Sequence, residues 1–160
     1  MTTTTLNTGL DATARDSVAA GLSKLLADTY AVYLKTHGYH WNVRGPNFSS
    51  LHALFMDQYT EMWAAIDSIA ERIRSLGQLA PQGYGAFANL TAVKDGDPEK
   101  SAEDMVAELM RDQETIVATA RAALPAAQAA GDEVTTSLLS DRLTAHEKHA
   151  WMLRATLGGK

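Results

Sequence analysis

Four stretches of this 160-residue chain set apolar residues three and four apart, and no segment alternates apolar with polar residues as a half-buried strand must. That leaves an all-α architecture. The first stretch runs from about Leu10 to Tyr39 on Val18, Leu22, Leu25, Leu26, Val32 and Tyr33, with no internal proline. Gly45-Pro46 breaks it, and Ser49 and Ser50 then stand as candidate N-caps. The second stretch follows on Leu51, Leu54, Phe55, Met62, Ile66, Ile69, Ile73 and Leu76, up to Gly77 as a C-terminal cap. At a rise of about 1.5 Å per residue this helix is roughly 40 Å long.

Residues 78–100 carry Pro81, Gly83, Gly85, Gly96 and Pro98, with Phe87 and Leu90 as the apolar pair of a short helix. A third helix is expected from near Ser101, with Glu103 and Asp104 in a first turn whose dipole favours anions, running through Met105, Leu109, Ile116, Val117 and Leu124. Pro125 should kink it and Gly131 should end it. A fourth begins about Asp132, on Leu139, Leu143, Ala150, Leu153 and Leu157. Two helices, a link of about 23 residues and two more helices fit a four-helix bundle with one long crossover, the ferritin-like connectivity, with a short helix inside the crossover. Residues 1–9 read as a disordered tail and residues 10–160 as one domain.

There is no cysteine, so thiolate zinc sites, iron–sulfur clusters and catalytic thiols are excluded; metal chemistry must use His, Asp and Glu. Lys and Arg number 14 against 19 Asp and Glu, a formal net charge of −5 that works against non-specific phosphate binding. The cations do not cluster at the ends: residues 1–14 contain none, and Lys160 is the only one after Arg154. No basic, apolar leader opens the chain and no apolar run approaches the roughly 20 residues of a membrane span, so the expected location is the cytoplasm.

None of the five histidines, at 37, 40, 52, 146 and 149, has Glu three residues before it, so the Glu-x-x-His pairs of a di-iron bundle are absent. The run His146 to His149, HEKH, spaces its histidines by three rather than four and is no zinc-protease motif. His146 falls on the apolar stripe and reads as a satisfied core histidine. There remain His40, His52, Asp67 and Glu71, whose donors suit iron or another borderline divalent ion. Asp67 and Glu71 share a helix face, but His52 precedes Asp67 by 15 residues, roughly 22 Å along one helix. One chain cannot bring both to one ion. A two-fold axis near Tyr59 and Thr60 would set His52 opposite Asp67 of an antiparallel partner and create two identical shared sites.

Spacing alone leaves alternatives open. Asp67 and Glu71 also fit a solvated face beside Arg72 and Arg74, and His52 fits a helix-start packing residue. Trp41, Trp63 and Trp151 read as core or interface anchors, and Trp41, next to His40, is also placed to take up oxidising equivalents from a redox metal. His37, one turn before His40, reads as a residue that supports the ligands from behind or lines their entry path, with an accessory contact to metal as the alternative.

The run His40 to Glu71, HWNVRGPNFSSLHALFMDQYTEMWAAIDSIAE, followed by Arg72 and Gly77, resembles the signature of the Dps family, the DNA-binding proteins from starved cells, or mini-ferritins. The closing HEKHAWMLRATLG resembles that family's last helix, so the likeness covers nearly the whole chain. It implies a hollow dodecamer of tetrahedral symmetry with ferroxidase centres at two-fold interfaces. His40 and His52 of one subunit, with Asp67 and Glu71 of its partner, would bind ferrous iron. Hydrogen peroxide is the oxidant the resemblance implies, the product is a ferric mineral in the cavity, and no organic cofactor is implied. Around three-fold pores, Asp132 and Glu133 would form an acidic ring that attracts cations. The same two residues also read as ordinary helix capping.

The chain departs from the family pattern at two places. Met56 stands four residues after His52, where many members have an acid, with Asp57 beside it as an accessory candidate; Ser137 occupies a position that is acidic in some relatives. The first function expected is an iron-sequestering ferroxidase that protects against oxidative stress. The alternative is a DNA-binding, nucleoid-protecting protein without significant ferroxidase activity. The uncharged, Thr-rich N-terminus favours the first and predicts weak or absent DNA binding.

Overall fold

The computed structural model describes residues 5–160 as five helices: α1 Ala12–Asn42, α2 Phe48–Ser75, α3 Tyr84–Leu90, α4 Ala102–Ala129 and α5 Glu133–Thr156. No strand occurs among the described residues. Residues 1–4 lie outside them, so the expected tail meets the structure only at residues 5–9, which are exposed and outside any helix.

The helix ends show why these segments fold where they do. Asp11, Ser101 and Asp132 each accept a backbone N–H of the first turn they precede, from Ala14, Asp104 and Thr135, and caps of this kind stabilise by about 1 kcal/mol each. Gly77 closes α2 at φ +91°, with Gln78 N–H reaching back to the Ile73 carbonyl; Gly131 closes α4 at φ +65°. The start of α2 differs from expectation. Its cap position is Asn47, ahead of Ser49 and Ser50, because the turn from Gly45 already bonds the Phe48 N–H, and the Ser50 hydroxyl bonds back to the Asn47 carbonyl. α4 continues through Pro125 to Ala129.

α1 packs along both α2 and α4, and α4 along α5, whereas α2 and α5 meet sparsely. The core falls into two apolar clusters. One joins Leu22, Leu25, Val32, Met62, Ile69, Ile73, Ile116 and Leu139; the other joins Tyr39, Leu51, Phe55, Met105, Leu109 and Leu153. On every long helix a polar layer separates the two: Lys35 and Thr36 on α1, Gln58 and Glu61 on α2, Asp112 and Gln113 on α4, and Arg142, His146 and His149 on α5. A layer of this kind is tolerated only where its members pair.

The crossover is pinned to the bundle by buried acids. Asp28 accepts the Thr91 and Thr119 hydroxyls and the Ala92 N–H at 2.7–2.8 Å. Lys35 bridges Asp112 at 2.7 Å, Lys100 bridges Glu108 at 2.7 Å, and the Tyr39 hydroxyl donates to Glu108 while accepting the Asp97 N–H. Burial, then the bond to Glu108, pushes the Tyr39 hydroxyl far up, so it stays a donor at any working pH. A Cβ at Gly96 would lie 2.8 Å from the Tyr39 oxygen, which is why glycine stands there.

Candidate metal centre

The last turn of α1 and the first turns of α2 are joined by a five-residue turn that brings His40 and His52 face to face. Their rings stack with centroids 3.6 Å apart and planes at 19°. Each Nδ1 lies against the other residue's backbone carbonyl, His40 Nδ1 at 2.7 Å from His52 O and His52 Nδ1 at 2.8 Å from His40 O. A carbonyl only accepts, so each Nδ1 carries its proton and donates it. Both Nε2 atoms are thereby left as free lone pairs, the tautomer in which a neutral imidazole ligates a metal, with a carbonyl behind it to fix the ring. His40 is buried and His52 is half-buried.

Aromatic rings frame this clamp. Phe48 lies 5.0 Å from His52, Tyr59 stands edge-on 5.2 Å from His40, and His37 sits 4.3 Å from both Tyr59 and Trp41. Burial, then the nearby His40, holds the His37 imidazole below its ordinary range, which keeps it neutral beside the clamp.

Asp67 and Glu71 are exposed on α2, with no side-chain partner among the described residues. They lie on the same continuous helix as His52, roughly 22 Å along it for Asp67. Within the chain, no three His, Asp or Glu side chains among the described residues converge on a common point. At about 100° per residue, His52, Met56, Tyr59, Trp63 and Asp67 fall on one stripe of α2, while Asp57 is turned some 140° away from His52. The stripe is open: Met56 is 43%, Trp63 59% and neighbouring Trp41 64% exposed. The tryptophans, Trp151 included, therefore do not belong to the subunit's core.

The other candidates separate cleanly. Asp132 is buried, both its oxygens meeting Arg72 Nη2 at 2.8–2.9 Å and the Thr135 N–H and hydroxyl at 2.9 and 2.6 Å. Burial works to raise its pKa, but the Thr135 bonds and then Arg72 outweigh it and hold the carboxyl below the usual range. Its oxygens are committed within the fold as cap and ion pair, and Glu133 beside it is the exposed acid. His146 is fully buried and bonded at both ring nitrogens, as a satisfied core histidine should be. Its partners Gln113 and Arg142, and Glu61 bonded to Arg142, were not among the candidates read from the sequence. The signal was available, since Gln113 lies between Leu109 and Ile116, and Arg142 between Leu139 and Leu143, on stripes that face inward.

Comparison with known proteins matches residues 19–159 to the ferritin-like domain family. The DNA protection during starvation protein 2 of Bacillus anthracis is 38% identical over 136 residues, 85% of this chain and 93% of its own. The DNA protection during starvation protein of Brevibacillus brevis is 36% identical over 140 residues, 88% of this chain and 94% of its own. Among solved structures, the Dps protein of Vibrio cholerae O1, a member of a broad superfamily of ferritin-like diiron-carboxylate proteins, superposes with a TM-score of 0.91 at 32% identity, covering 98% of this chain and 99% of its own. The Dps protein of Bacillus brevis superposes at 0.87 with 35% identity, covering 91% and 97%.

Proposed function

This chain belongs to the Dps branch of the ferritin-like family, and on that footing we propose that it is an iron-sequestering ferroxidase that oxidises ferrous iron with hydrogen peroxide and keeps the product as ferric mineral inside a hollow dodecamer. The observation that carries the reading is the His40–His52 clamp between α1 and α2, with both Nε2 lone pairs free and its His52 on the same open stripe of α2 as the unpartnered Asp67. An antiparallel partner about a two-fold axis near Tyr59 would set His40 and His52 of one subunit against the partner's Asp67 and Glu71, and would cover Trp63 and Met56.

In such a site ferrous iron is the substrate. The imidazoles hold it while it is ferrous, and the carboxylates stabilise it once it is ferric, because hard anionic oxygen prefers the higher charge. Two ferrous ions give one electron each to one peroxide, and with two waters this leaves two ferric oxyhydroxides and four protons. Peroxide and ferrous iron are consumed together, which removes both reactants of hydroxyl-radical chemistry. Trp41, in contact with His37 beside the clamp, is the oxidisable ring placed to take up an escaping equivalent. Glu133 at the start of α5 would draw cations toward a pore, with Ser137 weakening that field.

The names of the relatives suggest protection of DNA, but the net charge of −5 and the uncharged N-terminus favour protection by chemistry over binding. No helix among the described residues is long and apolar enough to cross a membrane. The deciding experiment loads the purified oligomer with ferrous iron without oxygen, adds a peroxide pulse and follows ferric absorbance. Rapid oxidation with iron retained on the soluble protein is expected. Oxidation at the protein-free rate would overturn the reading, and retardation of DNA in a gel shift at low salt would then favour the DNA-binding alternative.

A further inference from the structure

The His40–His52 clamp has no carboxylate of its own chain within one helical turn. On α2 the residues three and four away from His52 are Phe48, Ser49, Phe55 and Met56. Phe48 lies against the His52 ring at 5.0 Å, and Phe55 is buried in the core. On the α1 side, Thr36 gives its hydroxyl to the Val32 carbonyl, and His37 stands with Tyr59 and Trp41. Asp57, the nearest acid along α2, is turned away. The clamp therefore presents two imidazole nitrogens and, on the flank opposite Phe48, the side chain of Met56.

Met56 stands one turn beyond His52, where residues four apart hold their Cβ atoms about 5–6 Å from each other. Of the five methionines among the described residues it alone is exposed; Met62 and Met105 are fully buried, and Met110 and Met152 are half-buried. As a thioether it is a soft and weak ligand for a hard ion. One added oxygen changes that, because the sulfoxide is polar and its oxygen is a hard donor. That oxygen follows Cβ, Cγ and Sδ, the place along the side chain that Oε holds in a glutamate, so it has a glutamate's reach.

We propose that Met56 is an oxidation site that completes the clamp: hydrogen peroxide converts it to the sulfoxide, whose oxygen then serves as a metal ligand beside His52. The Sδ lone pair attacks one peroxide oxygen, and the S–O bond forms as the O–O bond breaks. The departing hydroxide collects the proton of the sulfur-bound hydroxyl and leaves as water, so sulfur gives up two electrons and peroxide gains them. The inference rests on the ferroxidase reading for its oxidant and its ion. A partner covering this face does not shield the sulfur from that oxidant, since peroxide that reaches iron at the clamp comes within one turn of Met56. A chain that has met peroxide thus holds ferrous iron more tightly than one that has not, and methionine sulfoxide reductases reset it.

The test uses the assembled, iron-free protein. Graded hydrogen peroxide without metal, followed by peptide mass spectrometry, should add one oxygen to Met56 well before Met62 and Met105. Oxidation of Met56 no faster than of those two buried residues overturns the proposal. Anaerobic titration calorimetry then compares ferrous binding before and after oxidation. The oxidised protein should bind about two- to fivefold tighter, less than a carboxylate would give because the sulfoxide is uncharged, and reductase treatment should return it to the starting affinity. Met56→Gln, with an uncharged oxygen at the same reach, should bind tightly without peroxide, and Met56→Leu should show no change on peroxide treatment. Equal affinity before and after oxidation, or an equal gain in Met56→Leu, overturns the proposal. Ferrous binding by the unoxidised protein that His52→Ala abolishes upholds the clamp even where Met56 fails, whereas no binding in either form overturns both.

Discussion

The chain contains two histidine pairs, built from the same atoms and treated in opposite ways. His40 and His52 stack at 3.6 Å, lock each other's Nδ1 through backbone carbonyls and leave both Nε2 atoms uncommitted at the edge of the bundle. His146 and His149 stand edge-on at 5.9 Å in the waist, where a guanidinium covers one Nε2 and both rings are buried. What separates a proposed ligand from a structural histidine is thus neither burial nor spacing. It is whether the second nitrogen, once the first is fixed, meets a donor of the same chain or nothing.

The largest expected effect comes from breaking the open pair. His52→Ala, and separately Asp67→Asn, should each bring peroxide-driven iron oxidation down to the protein-free rate, a loss beyond the roughly 10–100-fold typical of removing a residue that only orients a ligand. Mixing the two kinds of chain then sharpens the comparison. A heterodimer of the two keeps one wild-type His52 facing one wild-type Asp67, so random equal mixing restores about a quarter of all sites. Stopped-flow absorbance of the remixed oligomer checks this, and no recovery above either parent would refute a site shared between subunits.

Breaking the closed pair should cost stability instead of activity. His146→Ala removes a fully buried ring and orphans Gln113 and part of Arg142, so a loss of about 2–4 kcal/mol is expected in chemical denaturation. Gln113 also approaches the Met62 sulfur, and His149 is held against Gln58 through its carbonyl, which spreads the damage across three helices.

A gentler probe of the same pair is pH. Burial, then Arg142 and His149, holds His146 well below its ordinary range; burial lowers His149 as well, against the pull of Glu61 and with Arg142 and Lys148 adding to it. The folded state therefore binds fewer protons than the unfolded chain once pH falls below about 6.5, and stability drops in that window by up to about 1.4 kcal/mol per pH unit for each group. Above it the contribution is fully present. His146→Gln should flatten the fall in unfolding free energy between pH 7 and 5, as followed by chemical denaturation at each pH.

The sequence makes one pair far more legible than the other, for a physical reason. Helices and their ends follow from local rules, so Asp132, Ser101, Gly77 and Gly131 lie where apolar periodicity and cap chemistry put them, while α1 runs on to Asn42 and the α2 start moved, by the turn at Gly45. His40 and His52 stand out as candidate donors by elimination and by the family resemblance. That Nδ1 of each is locked by the other's carbonyl depends on the angle at which α1 and α2 meet, which no local rule supplies. The waist was less visible still, because Glu61 and Arg142 look like surface residues until three helices converge on them. Asp132 shows the same limit: an acid at a helix start predicts a cap, but that Arg72 would fork onto it from 60 positions away does not follow from the sequence.

The smallest effect concerns Met56, which stands where the family resemblance leads one to expect an acid. Met56 lies one turn beyond His52, about 40° from it around α2, and is 43% exposed, so a longer oxygen donor there could reach an ion held by the imidazoles. A thioether offers little to a hard ion, whereas a carboxylate adds charge and a preferred donor atom. Met56→Glu should therefore tighten ferrous binding by about tenfold or less, about 1.4 kcal/mol at most, since the ion already has four ligands in the proposed shared site. Asp57→Asn, on a face turned away from His52, should leave binding unchanged. Anaerobic titration calorimetry of the two variants decides: if Asp57→Asn weakens binding while Met56→Glu does nothing, the acid that serves the clamp is Asp57, and α2 must rotate or unwind locally when iron arrives.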